Sequence, residues 1–223
     1  MNVFYDLHLH SCLSPCADDD MTPGNLCGMA KLAGLQAIAL TDHNTCGNVR
    51  VFCSYAKRLG LVGVPGMELT TREEIHVVCL FPSCEDAERF GDYAYGKLPD
   101  IPNNTEVFGN QILTGIEDEP RGVEPRLLFG AADIGIYEVA PLVQAYNGVA
   151  FPAHIDRGAF SLLAILGLYD PSLGFSFTER PGVGLPHIEN SDAHWLGGIP
   201  DAANCLNIPA LTAQGVIDGL KAL

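Results

Sequence analysis

The sequence predicts an α/β fold built on a mostly parallel sheet, and three observations carry that prediction. Short apolar runs alternate with segments of helical periodicity along the chain. Histidines recur at or just past the ends of the strand-like runs. The 223 residues, 48% of them apolar, suffice for one domain with a core that needs no disulfide staples.

Val3 to Leu7 reads as a first strand running into a histidine. Thr22-Pro23 follows as an N-cap with proline at the first helical position. Leu26, Met29, Ala30 and Ala33 recur at helical spacing until Gly34 stops the helix. Ala37 to Leu40 is the second strand, leading into Thr41-Asp42-His43-Asn44. A helix from about Gly47 to Leu59 ends at Gly60, and Leu61 to Val64 opens the next strand. Ile75 to Phe81 is a strand bounded by Pro82, after which Ser83 caps a helix from Glu85 to about Leu98. Residues 99–125 are polar, rich in Pro, Asn and Glu and weakly periodic, and read as an excursion or lid within a single domain of residues 1–223. Asp133 to Tyr146 is predicted helical and kinked or split at Pro141. Val149 to Ala153 is a strand ending at His154. Ser161 to Leu166 is helical, Phe175 to Phe177 and His187 to Glu189 are extended, and Thr212 to Leu223 closes the chain as a helix.

Acidic residues outnumber basic ones 27 to 12, a formal net charge of −15. A surface so negative repels phosphate backbones, so no duplex nucleic acid is expected as a partner. An anionic substrate then needs a local positive centre, which a metal cluster supplies. No stretch reaches the ~18 uninterrupted apolar residues of a membrane span, so no membrane partner is expected. Met1 to His10 lack the basic and apolar regions of a signal peptide. The eight cysteines form no Cys-x-x-Cys pair. Reduced, mostly buried thiols in a cytoplasmic protein are therefore expected, with Cys12 and Cys16 placed by packing near the histidines rather than as ligands.

Six of the seven histidines stand at strand-like segments: His8, His10, His43, His76, His154 and His194. In α/β folds, side chains from different strands converge at the C-terminal sheet edge. His8-Leu9-His10 puts two imidazoles on one side of an extended chain, where both reach one ion at about 2.0–2.1 Å. Asp192-Ala193-His194 repeats the spacing near the other end of the chain. A lone His-x-His is more often an ordinary strand pair; the ordered set is more specific. Mixed imidazole and carboxylate donors suit divalent transition ions such as zinc, manganese or iron.

Asp6-Leu7-His8-Leu9-His10-Ser11, Thr41-Asp42-His43-Asn44, Gly66-Met67-Glu68, Ile75-His76, Pro152-Ala153-His154 and Asn190-Ser191-Asp192-Ala193-His194 follow one another in that order. This series resembles the PHP (polymerase and histidinol phosphatase) superfamily of metal-dependent phosphoesterases, over nearly the whole chain. The resemblance implies a distorted (β/α)7 TIM-like barrel with up to three ions at its C-terminal edge. By the same resemblance His8, His10, Glu68 and Asp192 hold one ion, and Glu68 bridges to a second completed by His76 and His154. A third takes His43, His194 and an early acidic residue. Here the segment Ser14 to Pro23 departs from the family pattern by a short insertion, which disturbs that last position; counting back from Pro23 selects Asp18, with Asp19 and Asp20 as alternatives. His43, Asp192 and His194 are the residues on which catalysis is expected to depend.

The expected reaction is attack of a metal-bound hydroxide on a small phosphorylated substrate. Arg157, three residues after His154, is either a phosphate clamp or half of an ion pair with Asp156 or another carboxylate. Asp42 either orients an imidazole or caps a turn. His187 is expected to be structural, and Arg72 and Arg180 to be solvated charges. Three other readings stand beside the phosphoesterase: an exonuclease on short oligonucleotides, an amidohydrolase-type hydrolase, and a metal-binding module without catalysis.

Overall fold

The computed structural model describes residues 1–223. The chain forms β1 (Asn2–Leu9), α1 (Pro23–Leu32), β2 (Ala37–Leu40), α2 (Val49–Arg58), β3 (Val62–Thr70), β4 (His76–Leu80) and α3 (Cys84–Tyr95). There follow α4 (Thr105–Phe108), β5 (Ile112–Thr114), β6 (Pro120–Val123), α5 (Ile136–Ala145), β7 (Val149–Pro152) and α6 (Leu162–Leu166). The chain ends with β8 (Thr178–Glu179), β9 (His187–Ile188), β10 (Cys205–Asn207) and α7 (Ala213–Lys221). Helix starts follow the capping chemistry: the side chains of Thr22, Ser83, Ser161 and Thr212 each accept a bond from the backbone three residues on.

Six strands form one curled sheet in the order β10-β1-β2-β3-β4-β7. Pairing is parallel from β1 through β3 and antiparallel at β1–β10, β3–β4 and β4–β7. The mostly parallel expectation therefore gives way to a mixed sheet, and the six strands make a half-barrel where the (β/α)7 prediction called for a closed ring of seven. The cause is local. Only residues 71–75 separate β3 from β4, and a parallel return needs a crossover of about a dozen residues or more. Glu74, at φ 61°, closes the tight connection instead.

Strand residues alternate between two cores. Val3, Tyr5 and Leu7 of β1, with Ala37, Ala39, Val62, Val64, Val78, Leu80 and Phe151, pack on Val216, Ile217 and Leu220 of α7. Ile38, Leu40, Met67, Leu69, Val77 and Cys79 face the other way, onto Leu26, Phe52, Phe90, Val139 and Val143 of α1, α2, α3 and α5. Pro141 sits inside α5, which runs on through it.

Residues 99–125 hold α4 and the β5–β6 hairpin, and polar bonds fasten the segment down. Ile112 N–H donates to Cys12 O at 2.8 Å and Thr114 N–H to Asn48 Oδ1 at 3.0 Å. Asp118 reaches the start of α1, accepting from Thr22 Oγ1 at 2.6 Å and from Gly24 N–H at 2.8 Å. The expected extended run Phe175 to Phe177 lies just before β8 rather than in it, and β10 is a strand that the apolar pattern does not announce.

Candidate metal centre

Strand direction decides which residues meet at the rim. β1, β2, β3 and β7 run the same way and deliver their C-terminal ends: His8 and His10, then Thr41 to His43, then Glu68, then His154. β4 runs the opposite way, so its first residue, His76, arrives at the same edge. Bridges between Leu9 and Ala193 and between His43 and Glu68 carry the pairing past the strand ends and bring Asp192 and His194 in beside β1.

Glu68 lies at the centre. Its Oε1 is 3.3 Å from His8 Nε2, 3.0 Å from His76 Nδ1 and 3.2 Å from His154 Nε2. Its Oε2 is 3.3 Å from His10 Nε2 and 3.2 Å from His43 Nδ1. Asp192 Oδ1 lies 3.2 Å from His8 Nε2 and 3.0 Å from His10 Nε2, and those two nitrogens are 3.2 Å apart. Donor atoms around an ion with bonds of ~2.0–2.2 Å stand roughly 3–3.5 Å from one another. Three donor sets of that kind overlap: His8, His10, Glu68 and Asp192; His43, Glu68 and His76; and His10, His43 and His194.

Metal-ligating groups buried with lone pairs turned inward satisfy the fit a cation requires. His43 Nδ1 and Asp192 Oδ1 are buried without a hydrogen-bond partner, a costly arrangement that coordination relieves. Electrostatics point the same way. Burial opposes charging of His8, yet Asp192, Glu179 and Glu68 override it and raise its pKa well above the ordinary imidazole value. For His10, burial is likewise outweighed by Asp192 and Glu68, which lift it to about 9. The carboxylates thus attract positive charge to the point where the donor atoms converge. Burial also works against ionised Glu68 and Asp192, but the imidazoles of His76, His8 and His43 hold Glu68 low, and His8 and His10 hold Asp192 low. His43 is kept well below its usual value by burial and by the neighbouring His10, His76 and His194, against Glu68. His194 is lowered to about 4 by burial and His10.

Residues behind the cluster set the imidazole orientations. Glu179, fully buried, accepts from His8 Nδ1 at 3.0 Å, from His154 N–H at 2.7 Å and from Asn190 Nδ2 at 2.8 Å. That bond turns His8 Nε2 toward the centre. Glu179 stands in no histidine-rich motif, and the sequence reading missed it; it sits between Thr178 and Arg180, where no periodic pattern marks it. Asp42 acts through Ser14. It accepts from Ser14 Oγ at 2.7 Å, and Ser14 Oγ is 2.9 Å from His10 Nδ1. Asp42 also accepts from Ser11 N–H and Ser11 Oγ, each at 2.7 Å, so it caps the turn and supports the imidazole together. His194 Nδ1 donates to Asp192 O at 2.8 Å, leaving Nε2 free.

The structure brings together His8, His10, His43, Glu68, His76, His154, Asp192 and His194. It does not bring in Asp18. Asp18, Asp19 and Asp20 are all exposed, and the third donor set draws on His10 where an acidic residue was expected. Asp18 N–H donates to His194 O at 2.9 Å, while its carboxylate belongs to no donor set. Arg157 pairs with a carboxylate, and that carboxylate is Asp192: Nη1 to Oδ2 is 2.6 Å. His187 and Arg180 lie away from the cluster; Arg180 pairs with Glu189 and Arg72 with Asp133.

A cavity of about 430 Å³ opens over the cluster, lined by His43, Glu68, His76, His154, Asp192 and His194 together with Cys16, Phe129, Arg157, Gly158, Ala159 and Phe160. Phe160 stacks on His76 at 4.8 Å between centroids, and Phe129 meets His43 edge-on at 5.2 Å. Asn44, at φ 52°, holds the Phe129 segment by donating to Leu128 O and Gly130 O. His154, Phe160 and Asp192 also have positive φ, so backbone strain concentrates at the pocket. None of residues 99–125 lines it.

Comparison with known proteins places this arrangement. A 5'-3' exoribonuclease of Haemophilus influenzae is 35% identical over 83 residues, 36% of this chain and 29% of that protein. Among solved structures, the lesion-specific endonuclease Q of Pyrococcus furiosus matches with a TM-score of 0.67 at 17% identity, over 100% of this chain and 56% of the other. An amidohydrolase of Chromobacterium violaceum, with bound sulfate and no metal, matches with a TM-score of 0.60 at 18% identity, over 98% and 96%. The chain therefore spans less than a third of the exoribonuclease and little over half of endonuclease Q. One expectation falls here. On this fold, an endonuclease Q complex holds a 27-mer duplex with an abasic lesion at the active site, so the charge-based exclusion of duplex nucleic acid does not stand. Net charge is a sum over the whole surface, whereas recognition at a pocket depends on the local field. Residues 6–117 match the PHP domain profile, half of the chain, and the protein belongs to the PHP domain family.

Proposed function

We propose that the protein is a metal-dependent phosphoesterase acting on a small phosphorylated substrate. The observation that carries this reading is that Glu68 belongs to two donor sets at once, one with His8, His10 and Asp192 and one with His43 and His76. A carboxylate so placed suits a bridge between adjacent ion positions. His8, His10, Glu68 and Asp192 would hold one ion, Glu68 with His43 and His76 a second, with His154 beside Glu68, and His10, His43 and His194 offer donors for a third. Zinc, manganese or iron there would supply Lewis acidity toward a phosphoryl oxygen and activation of water near neutral pH.

The chain's own groups do the rest. Arg157, half exposed and tied to Asp192, presents a guanidinium at the cavity wall where a phosphoryl oxygen can accept from it. Phe129 and Phe160 exclude water from the imidazoles beside them. Stripping the protein with a chelator should abolish hydrolysis in a panel of small phosphoesters, and readdition of manganese, iron or zinc should restore it. Turnover that persists after metal analysis shows none left would sink the reading.

A second reading, exonuclease action on short oligonucleotides, draws support from the likeness to the exoribonuclease. Release of mononucleotides from a short oligonucleotide, with small phosphomonoesters untouched, would select it.

A further inference from the structure

Apart from the donor residues of the metal centre, the cavity is lined by Cys16, Phe129, Arg157, Gly158, Ala159 and Phe160. Arg157 is the one charged side chain among these six, and in the phosphoesterase reading it meets the phosphoryl group. Of the other five, only Cys16 bears a polar side-chain atom, and a thiol is a weak donor. Two of the five are aromatic, and the fold fixes both. Phe160 sits at φ 53°, a left-handed conformation that a bulky residue keeps only where its surroundings impose it. His76 N–H donates to Phe160 O at 3.0 Å, and the two rings stack with centroids 4.8 Å apart. Phe129 lies edge-on to His43, to His76 and to Phe160, at 5.2, 6.3 and 5.6 Å between centroids. Asn44 Nδ2 donates to Leu128 O at 2.7 Å and to Gly130 O at 2.9 Å, which clamps the backbone on both sides of Phe129.

Neither phenyl ring is fully buried, so both offer preset aromatic surface to a molecule entering the cavity, at little further cost in ordering. A phosphoester brings its phosphoryl group to the metal centre and Arg157, and its alcohol part meets what is left of the lining. A sugar or polyol there would exchange water for carbon at each hydroxyl, and every hydroxyl left unpaired weakens binding. A flat ring would exchange water for ring faces and edges, a contact worth more than its area alone. The volume of about 430 Å³ lies toward the lower end of the roughly 300–1,000 Å³ of small-molecule sites.

We propose that the substrate is the phosphoester of an aromatic alcohol, its ring held against Phe129 and Phe160, rather than a sugar or polyol phosphate. This rests on the phosphoesterase reading and names the leaving group that reading left open. Hydrolysis breaks the bond between phosphorus and the ester oxygen; water gives its hydroxide to phosphorus and its proton to the alkoxide, which departs as the aromatic alcohol. Phe129 and Phe160 are then specificity residues, acting on the leaving group and not on the phosphoryl centre.

The test uses phosphonates, which carry the dianionic head group but cannot be hydrolysed. Benzylphosphonate, cyclohexylmethylphosphonate and 2,3-dihydroxypropylphosphonate are titrated calorimetrically into the full chain loaded with manganese. Benzylphosphonate should bind tightest, ahead of the cyclohexyl compound by about 2–10-fold, the range of an aromatic pair beyond its buried area. The dihydroxypropyl compound should bind weakest. In Phe160→Leu and Phe129→Leu, which keep an apolar side chain but lose the ring, the advantage of benzyl over cyclohexylmethyl should shrink. A dihydroxypropyl or cyclohexylmethyl compound that binds as tightly as benzylphosphonate would overturn the proposal and leave the phosphoesterase reading intact. Failure of all three to bind the metal-loaded protein would overturn both. Should a variant fail to fold, the ranking on the unaltered protein still decides.

Discussion

Glu179 touches no position where an ion would sit, yet it fixes two residues that do. Its carboxylate receives the His8 ring and the His154 backbone, so its removal frees His8 to rotate and leaves His154 N–H unpaired. Outer partners of this kind change metal affinity by about 10–100-fold. Glu179→Ala should weaken metal binding by that factor, measured by competitive titration with a chelating dye, while Glu179→Gln, which can still accept one bond, should lose less. Asp18→Asn is the opposite case. With its carboxylate exposed and outside every donor set, the change should leave metal content and turnover within about twofold, since exposed substitutions remote from a site cost little; a larger loss would return Asp18 to the ligand set. Much of this site was readable in the chain because imidazoles spaced two apart on a strand must share a face. Glu179 and Asp18 escaped for separate reasons. The first acts across the fold from a two-residue strand, and the second lies in an insertion where counting along the chain no longer fixes position.

At the scale of elements, helix starts and the early strands were legible because caps and alternation are local properties. Strand direction was not. The antiparallel turn of β4 follows from the five-residue connection after Thr70, and that reversal is why His76 opens its strand and still reaches the rim. The excursion at 99–125 shows the same limit: its polar composition suggests a loop, whereas buried side chains such as Asn48 and Gln111 tie it to the body. Asp118 joins this segment to α1 by binding Thr22 Oγ1 and Gly24 N–H. It completes a helix N-terminus from a distance of 94 residues in sequence. Loss of such a cap costs ~1 kcal/mol, which in a domain of this size corresponds to about 2–4 °C in Tm. Asp118→Ala should lower the melting temperature by that amount in calorimetry. An unchanged Tm would mean that the hairpin contributes nothing to α1.

For the whole molecule, the charge of −15 surrounds a pocket whose donors attract cations. Two fields of opposite consequence therefore meet an approaching phosphoester. Far from the pocket the acidic surface repels it; inside, bound ions and Arg157 would attract it. Salt separates the two, because exposed charges beyond about 10 Å are screened at 0.1 M ionic strength while buried ones are affected much less. A basic nucleic-acid-binding surface loses affinity as salt rises, through counterion release. Here the long-range term has the other sign, so kcat/KM for a dianionic substrate should rise as sodium chloride increases from about 0.01 to 0.15 M. The rise should be steeper for an oligonucleotide, which carries more charge into the repelling field. Steady-state rates at fixed pH and saturating metal measure it. A fall in kcat/KM over that range would mean that a positive local surface, rather than the acidic envelope, governs the encounter.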